Sequence, residues 1–400
     1  MPMNLVALVA GFAGAAAQGL VPTERTLVAD LRYDIEDHMP LTRVNGIAVG
    51  PSGELFVADE LEAGIALIDA NGTFLRRIGR PGRGPGEFGR LLRIGLIGDT
   101  LWAVDSALRR LVFFDLRGDH LRTIAAQNPD SVHWPEFPLA ILPQAVLREG
   151  LVGSRRSPVP PEGPVVVVLR ANGDEARELA KLEYARQSLI VEGSRGISVI
   201  RYQPLDDSPF WQVSPDGARV MVVERPAARS QAAAFFTIKA YESDGAALFT
   251  TTCHYAPARV PDRVKSEIVR NATAYNVGTF AGSSRDAEAA VRRNLYMPDF
   301  YPPIEATGVG EDHTLWLRMH RDNGDKRGLW IIVNANGNVA YGVRGPAGLT
   351  IWAASASHVW GVEQDSNGVP QLARYRVTPA ADAGRDGRSA TDSIFRCEGG

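Results

Sequence analysis

Two stretches of this chain align with each other without a gap, and that repeat constrains the fold more than any other feature. The run that begins at Leu55 matches the run that begins at Leu101, an offset of about 46 residues. A period of this length, filled with short segments rich in β-branched and aromatic residues, is typical of β-propeller blades. Helical solenoids would instead place apolar residues three and four positions apart. The repeat therefore predicts an all-β chain built from four-stranded blades.

A short turn with glycine in its fourth position recurs along the chain, and its copies indicate the number of blades. Its copies are Asp69–Gly72, Asp115–Gly118, Arg170–Gly173, Glu242–Gly245 and Asn334–Gly337. The Asn-Gly copies favour type I′ hairpins, in which both central residues have positive φ, so we expect each turn to join the third and outer strands of a blade. A sixth unit without the turn covers Gly348–Val377. The pattern predicts a six-bladed β-propeller over residues 24–378.

The closing strand of the ring is expected near the N-terminus. Thr26–Ile35 has the composition of a strand but no partners in its own unit, and the sixth unit stops after its third strand. Pairing the two would complete the last blade and remove an exposed sheet edge.

The segment between the first two blades carries a family resemblance. Gly79–Phe88 (GRPGRGPGEF), together with the strands around it, resembles the inter-blade segment of NHL-repeat proteins and of related bacterial six-bladed β-propeller proteins. The resemblance is specific over residues 44–124 and implies the propeller fold, with Phe88 anchored between blades. Folds of this kind serve lyases, lactonases, receptor sensor domains and scaffolds, so the resemblance implies no single activity.

Blades 4 and 5 are separated by an insertion, residues 257–300, in which two segments have helical character. Pro261–Asn271 spaces its aliphatic residues as a helix does, and Ser284–Leu295 has a serine cap, early acidic residues and late arginines. An aromatic, proline-rich stretch follows at Tyr296–Pro303. We expect a helical insertion over one face of the disc, acting either as a lid or recognition surface, or only as packing that covers a blade edge.

The N-terminus predicts export. Residues 1–17 resemble a signal peptide because Leu5–Ala17 is apolar and ends in small residues, although no Lys or Arg precedes the run. The alternative explanations of the run are a buried first strand or a misassigned start codon. No later segment could span a membrane. The formal net charge of −3 indicates no nucleic-acid partner, and we expect a monomer in the periplasm or outside the cell.

The two cysteines give opposing indications. A pair in an exported protein could form a disulfide, but Cys397 lies in a polar, glycine-rich stretch, and residues 379–400 read as a disordered tail. On that basis we expect Cys253 and Cys397 to be unpaired thiols.

No catalytic motif stands out in the sequence. The nucleophile elbow, the P-loop and HExxH are absent, and no two of the seven histidines are spaced as a ligand pair. Asp59 and Asp105 occupy one repeat position at the end of a strand, where an aspartate usually accepts hydrogen bonds from amides of the next turn. We therefore expect no cofactor and assign no metal ligand.

The mouth of the central pore remains as the candidate site. Residues expected at or just before innermost strands, or able to approach a face, are Arg43, Asn45, Trp134, Glu136, Glu305, His320 and Trp352. Aromatic side chains beside charges suit sugar, peptide or amphipathic ligands, although a tryptophan there could equally pack between blades. The sequence predicts an exported, non-catalytic binding or scaffold propeller that recognises a protein, peptide or glycan. The alternative is a metal-assisted, calcium-dependent hydrolase or lactonase, or a lyase, that uses the pore.

Overall fold

The fold is described from a computed structural model of the chain. The residues that it describes are 23–34, 37–125, 137–142, 145–152, 165–172, 176–184, 189–193, 196–200, 203–232, 234–276, 284–320, 327–346, 348–364, 368–379 and 395–399. The predicted signal peptide at 1–17 and the candidates Trp134 and Glu136 lie outside these residues.

The chain is a six-bladed β-propeller whose blades are four-stranded and antiparallel. Blade 1 contains β2 (Val44–Val49), β3 (Leu55–Asp59), β4 (Gly64–Ile68) and β5 (Phe74–Ile78). Blade 2 contains β6 (Leu91–Ile97), β7 (Thr100–Asp105), β8 (Arg110–Asp115) and β9 (His120–Ala125). Blade 3 contains β10 (Phe137–Leu142), β11 (Ala145–Val152), β12 (Val165–Asn172) and β13 (Ala176–Tyr184).

The second half of the ring follows the same plan. Blade 4 contains β16 (Phe210–Val213), β17 (Arg219–Glu224), β18 (Phe235–Glu242) and β19 (Ala247–Tyr255). Blade 5 contains β20 (Ile304–Val309), β21 (Leu315–Met319), β22 (Arg327–Val333) and β23 (Val339–Pro346). Blade 6 contains β24 (Thr350–Ala354), β25 (His358–Gln364), β26 (Pro370–Pro379) and, from the other end of the chain, β1 (Thr23–Arg32).

The hydrophobic core is divided into clusters between successive blades. The innermost strands approach one another around the axis, β2 with β6, β6 with β10, β16 with β20, β20 with β24 and β24 with β2. Phe88 is fully buried between blades 1 and 2, where its ring contacts that of Phe114. Trp316 and Trp330 are fully buried between blades 5 and 6. The interfaces described between blades 1 and 2, 4 and 5, 5 and 6, and 6 and 1 are thus filled by side chains from two blades. In this way a propeller buries sheet faces that a single blade would leave exposed.

The predicted ring closure is confirmed. β1 pairs antiparallel with β26 in blade 6, and its first residues also pair in parallel with β23 of blade 5. Leu27 is buried in the cluster that contains Trp330. Asp30 sits at a bulge in the pairing, where its carboxylate is 3.1 Å from Arg374 Nε and 3.4 Å from His358 Nε2.

The recurring turn has a different geometry from the one predicted. At four copies the glycine has positive φ and donates its N–H to the residue three positions earlier, as Gly72 does to Asp69. The residues between them, Ala70 and Asn71, are not among the described residues with positive φ. The type I′ prediction is wrong, because Asn-Gly here fills the last two places of a type I turn followed by a bulge. The Asp69 carboxylate accepts from the amides of Asn71 and Thr73, and Asp115 and Asn334 make equivalent contacts. These bonds explain the aspartate or asparagine in first place at three of the four described copies.

The prediction of two unpaired thiols is wrong, because Cys253 and Cys397 form a disulfide. The tail is also ordered where the structure describes it, since β27 (Phe395–Gly399) adds a fifth strand antiparallel to β19. Short-range composition pointed to disorder, whereas the pairing joins residues 144 positions apart.

Four further elements lie outside the blades. The helices α1 (Asp262–Asn276) and α2 (Ser284–Asn294) fall between β19 and β20. The hairpin β14 (Leu189–Gly193) and β15 (Gly196–Ile200) falls between β13 and β16. Within the described ranges, no helix is both long enough and apolar enough to cross a bilayer.

We predict that Leu27→Asp destabilises the ring strongly while its neighbour tolerates the same change. A carboxylate at Leu27 would be buried without a partner, which costs about 3 kcal/mol or more. Val28 is 48% exposed and lies opposite Arg376, so Val28→Asp places its charge in solvent beside a cation. Urea denaturation followed by tryptophan fluorescence measures both variants. Equal midpoints for the two would contradict a structural role of β1 in closure.

Candidate functional site

One face of the disc carries most of the chain outside the blades. On this face the outer strand of each blade connects to the innermost strand of the next, and the second strand connects to the third. We call it the linker face. Both inserted elements, the pair of helices and the hairpin, are outer-to-inner connections and therefore leave the propeller here. The opposite face is built, in the parts that the structure describes, from turns of a few residues.

Two fully buried aspartates hold the connections of the linker face in place. Asp59 Oδ2 accepts from the amides of Thr42 (2.7 Å) and Arg43 (2.6 Å), and Oδ1 accepts from the amides of Leu61 and Glu62. Each carboxylate thus joins the linker entering its blade to the turn after the second strand. The structure thus confirms the role expected from the sequence, which is to accept hydrogen bonds from backbone amides.

The equivalent aspartate of blade 2 makes the same kind of contacts. Asp105 accepts from the amides of Gly89, Arg90 and Leu108, and Arg110 Nε lies 3.4 Å from its Oδ2. The repeat position is therefore structural in both blades.

Arg43 extends from this network to the surface. Its guanidinium lies 3.5 Å from Glu60 Oε1, which also accepts from Arg90 Nε at 2.7 Å, and the Arg43 side chain is 57% exposed. Glu60 thereby links two successive linkers and leaves the guanidinium of Arg43 available to solvent.

A β-bulge near the start of the innermost strand recurs in five blades. In each, one residue is left without a partner on the second strand: Asn45, Leu92, Leu139, Glu305 and Trp352. Bulges re-aim a side chain out of the regular alternation of a strand. Three candidates chosen from the sequence, Asn45, Glu305 and Trp352, therefore occupy one equivalent position around the axis.

The side chains at this position do different things. Asn45 Nδ2 donates to the carbonyl of Leu91 in blade 2, while Asn45 Oδ1 is buried without a hydrogen-bond partner. Trp352 is half-buried and packs against the core between blades 6 and 1, which is the packing role weighed for it from the sequence. Of the three, Glu305 is the one that presents charge at the surface.

Glu305 and His320 come together on the linker face of blade 5, where the innermost strand begins, and we call this region the rim. Glu305 Oε1 is 2.6 Å from His320 Nδ1, and Glu305 Oε2 is 3.1 Å from Arg318 Nε. The imidazole stacks on the ring of Tyr301, with centroids 3.6 Å apart. In the neutral imidazole, the carboxylate beside Nδ1 favours the tautomer with the proton on that nitrogen and the lone pair on Nε2. About a fifth of the His320 side chain is exposed.

Tyr301 belongs to the stem of the helical insertion. The chain leaving blade 4 and the chain entering blade 5 pair at the base of the insertion, through Val260 N to Asp299 O and Tyr301 N to Ala258 O. This stem fixes Tyr301 over His320. The helices above it are thereby coupled to the side chains at the rim.

The inserted helices pack against the inserted hairpin. Leu189 and Val191 of β14 share a buried cluster with Val269 of α1 and Val291 of α2. A cavity of about 460 Å³ lies between the two helices, lined in part by Arg270 and Thr273. The hairpin and helices thus form one unit on the linker face, built from two separate linkers.

Buried polar side chains tie this unit to the propeller. Gln203, 3% exposed, donates to the carbonyl of Asn294 and accepts from the amide of Tyr296. Tyr296 Oη donates to Asp207, which also accepts from the amide of Ala227 in blade 4. These residues were missed from the sequence. Only the apolar run Leu189–Val191 at the start of β14, with the glycines Gly193 and Gly196 after it, could have indicated the hairpin.

Arg225 completes the connection beneath the unit. It is 5% exposed, donates to the carbonyl of Ile304 at the start of β20, and lies over the ring of Phe210. Across the inner strands, Arg93 of blade 2 lies over the ring of Trp211 in blade 4, 4.6 Å from its centroid.

No group of three His, Cys, Asp or Glu side chains among the described residues converges as a metal site would require. Glu305 and His320 form a pair at the rim, which is one group fewer than the three that a metal site would need. The geometry of the described rim therefore provides an ordered His–carboxylate pair beside exposed charge.

Comparison with known proteins agrees with the fold. Residues 34–131, which include blades 1 and 2, match the model of a family described as "6-bladed beta-propeller". This match confirms the resemblance predicted from the inter-blade segment. A search of curated proteins finds no significant sequence match.

The chain is also similar to solved structures at low identity. The chain is similar to virginiamycin B lyase from Staphylococcus aureus, at 12% identity over 84% of this chain and 95% of that one, with a TM-score of 0.38. It is similar to a member of the DUF4221 family from Bacteroides vulgatus, at 11% identity over 90% and 100%, with a TM-score of 0.42. It is also similar to a calcium-binding protein, regucalcin, from Agrobacterium tumefaciens, at 12% identity over 90% and 97%, with a TM-score of 0.35. Likeness at this level carries no information on ligand or reaction.

We predict that Asp59→Ala costs far more stability than the same change at a turn aspartate. Four amides would lose their acceptor in a buried site, with an expected loss of about 3 kcal/mol or more in the free energy of unfolding. Asp69→Ala removes an acceptor from an exposed turn and should cost about 1 kcal/mol. Urea titration of both variants measures the difference. Similar losses would mean that solvent replaces the amide contacts of Asp59.

Proposed function

We propose that this six-bladed β-propeller is an exported, non-catalytic binding protein that recognises a protein, peptide or glycan on its linker face. The observation that carries the proposal is the contact between the stem of the helical insertion and the rim. Tyr301 of the insertion stem stacks on His320, and His320 contacts Glu305 at the bulge of β20. Ligand-binding residues are commonly placed on connections that a rigid scaffold holds in position.

The elaboration of one face supports recognition there rather than general packing. The hairpin and the helices come from different linkers, yet they pack on each other and are anchored by the buried Gln203. A cover for a blade edge would not need to place an aromatic ring over a rim histidine. The combination of a stacked imidazole, a carboxylate and the nearby Arg318 suits ligands with both polar groups and flat apolar surface, as sugars and peptides have.

Export is supported by two independent features. The apolar segment Leu5–Ala17 has the length and small-residue ending of a signal peptide. The Cys253–Cys397 disulfide suits an oxidising compartment, where such bonds persist. We therefore place the protein in the periplasm or outside the cell.

We predict that substitutions at the candidate site weaken ligand binding, whereas matched substitutions elsewhere on the surface leave it unchanged. Arg43→Gln and His320→Ala should each weaken ligand binding by about tenfold, because each removes a polar contact at the site. The matched controls are Arg117→Gln, an 84% exposed arginine on the opposite face, and His120→Ala on an outer strand. Glycan and peptide arrays probed with the purified protein identify ligands, and calorimetry then compares the four variants.

Two outcomes would contradict the proposal. One is equal loss of affinity in the candidate-site variants and their controls. The other is a rise of several degrees in melting temperature on adding calcium alone, since a ligand that binds only the folded state stabilises it. That second result would favour the metal-assisted alternative.

The pairing of Glu305 with His320 favours one second candidate function, a hydrolase or lyase at the pore. A carboxylate that accepts from Nδ1–H orients an imidazole and supports proton transfer at Nε2. In that case Glu305→Gln should lower turnover by about a hundredfold, since the amide can no longer stabilise the imidazolium. The measurement is hydrolysis or elimination on a panel of lactones, esters and cyclic peptides. No difference between the variant and the unaltered protein would exclude the pair from catalysis.

A further inference from the structure

The outer edge of blade 4 carries a fifth strand, which blades 1, 2 and 3 do not have among the residues that the structure describes. β27 pairs antiparallel with the second half of β19, from Thr251 opposite Gly399 to Tyr255 opposite Phe395. Cys253 and Cys397 face each other in the middle of this register and are joined by the disulfide. Among the described strands, β5, β9 and β13 end their sheets with no further partner.

The contacts that the structure describes for the added strand are mainly its backbone pairing and the disulfide. It pairs over five residues, and its outward side chains Arg396 and Glu398 are exposed. They form an ion pair with each other, which contributes almost nothing at such exposure. Among the side chains of this strand that the structure describes, Cys397 packs against the core between blades 4 and 5. A short terminal strand of this kind opens locally far more easily than the blade beneath it.

The edge beneath the strand is well fixed. Cys253 is 1% exposed and belongs to the core between blades 4 and 5. Thr251 Oγ1 donates to the carbonyl of Gly337 in the neighbouring blade, which anchors the start of the paired segment. The receiving side is therefore rigid and the occupant is not, as in β-strand addition to a sheet edge.

We propose that the β19 edge is a docking site for an extended peptide with a cysteine in its third position, and that Phe395–Gly399 is its resting, covalently held occupant. An incoming thiolate attacks a sulfur of the Cys253–Cys397 disulfide after the strand opens. Attack at Cys253 forms a peptide–Cys253 disulfide and releases Cys397 as a thiolate, so no external oxidant or reductant is consumed. Main-chain pairing then places the new strand in the position that β27 leaves.

The register of the edge gives the proposal a sharp test. Side chains alternate between the two faces of a strand, so moving the cysteine by one position turns it away from Cys253. The full-length C397S variant keeps Cys253 as the single thiol. It is mixed with a five-residue peptide, Phe-Arg-Cys-Glu-Gly, whose cysteine carries a thionitrobenzoate leaving group. The control is the same activated peptide with arginine and cysteine exchanged.

Release of thionitrobenzoate measures attack by Cys253, and intact mass confirms the adduct. Both peptides react with the same variant, so simple exposure of the thiol contributes equally to the two rates. The free aromatic disulfide reagent measures that exposure separately. We expect the in-register peptide to react at least about tenfold faster than the control, because only it can pair and present its sulfur to Cys253. Equal rates for the two peptides would overturn the proposal, since they would show that the edge does not select a strand. The proposal would also be overturned if Cys253 reacted with the free reagent but with neither peptide.

Discussion

The antiparallel pairing of β1 with β26 is the constraint on which the rest of the structure depends. A propeller blade cannot bury its own faces, so each blade needs a neighbour on both sides. The first strand of the chain supplies the last place in blade 6 and also pairs with β23 of blade 5. Asp30 meets Arg374 and His358 at the bulge in this pairing. Because the two ends of the chain share one sheet, opening that sheet would unpack both of its interfaces.

The closed ring makes it possible to build outward on one face. Buried acceptors, Asp59 and Asp105, hold the linkers of the ring. The amide partners of each carboxylate come from the linker that enters the blade and from the turn after its second strand. On blades 3 to 5 the linkers lengthen into the hairpin and the two helices. Tyr301, in the stem of the helical insertion, stacks on His320 and so joins the insertion to the rim. A recognition surface built this way gains its rigidity from the ring and its variety from the insertions.

Much of the fold could be predicted from short-range patterns, and the errors have physical causes. The repeat of Asp59 and Asp105 located the blades because turn and strand preferences act within a few residues. The turn at Asn71-Gly72 was assigned to the wrong type, since the Asp69 carboxylate stabilises a type I turn that the Asn-Gly pair alone does not indicate. The disulfide was missed because composition near Cys397 says nothing about a strand edge far away in the sequence.

The sequence by itself determined the class of fold, the number of blades and the strand that closes the ring. These depend on periodicity, on glycine at positive φ and on an unpaired strand at each end of the chain, all of which are local properties. The tertiary structure alone decided which polar side chains meet. It placed Asn45, Glu305 and Trp352 at one equivalent bulge, gave them different partners, and brought only Glu305 to an imidazole. Side-chain contacts of this kind depend on the register between strands, because a shift of one residue reverses every side chain on a strand.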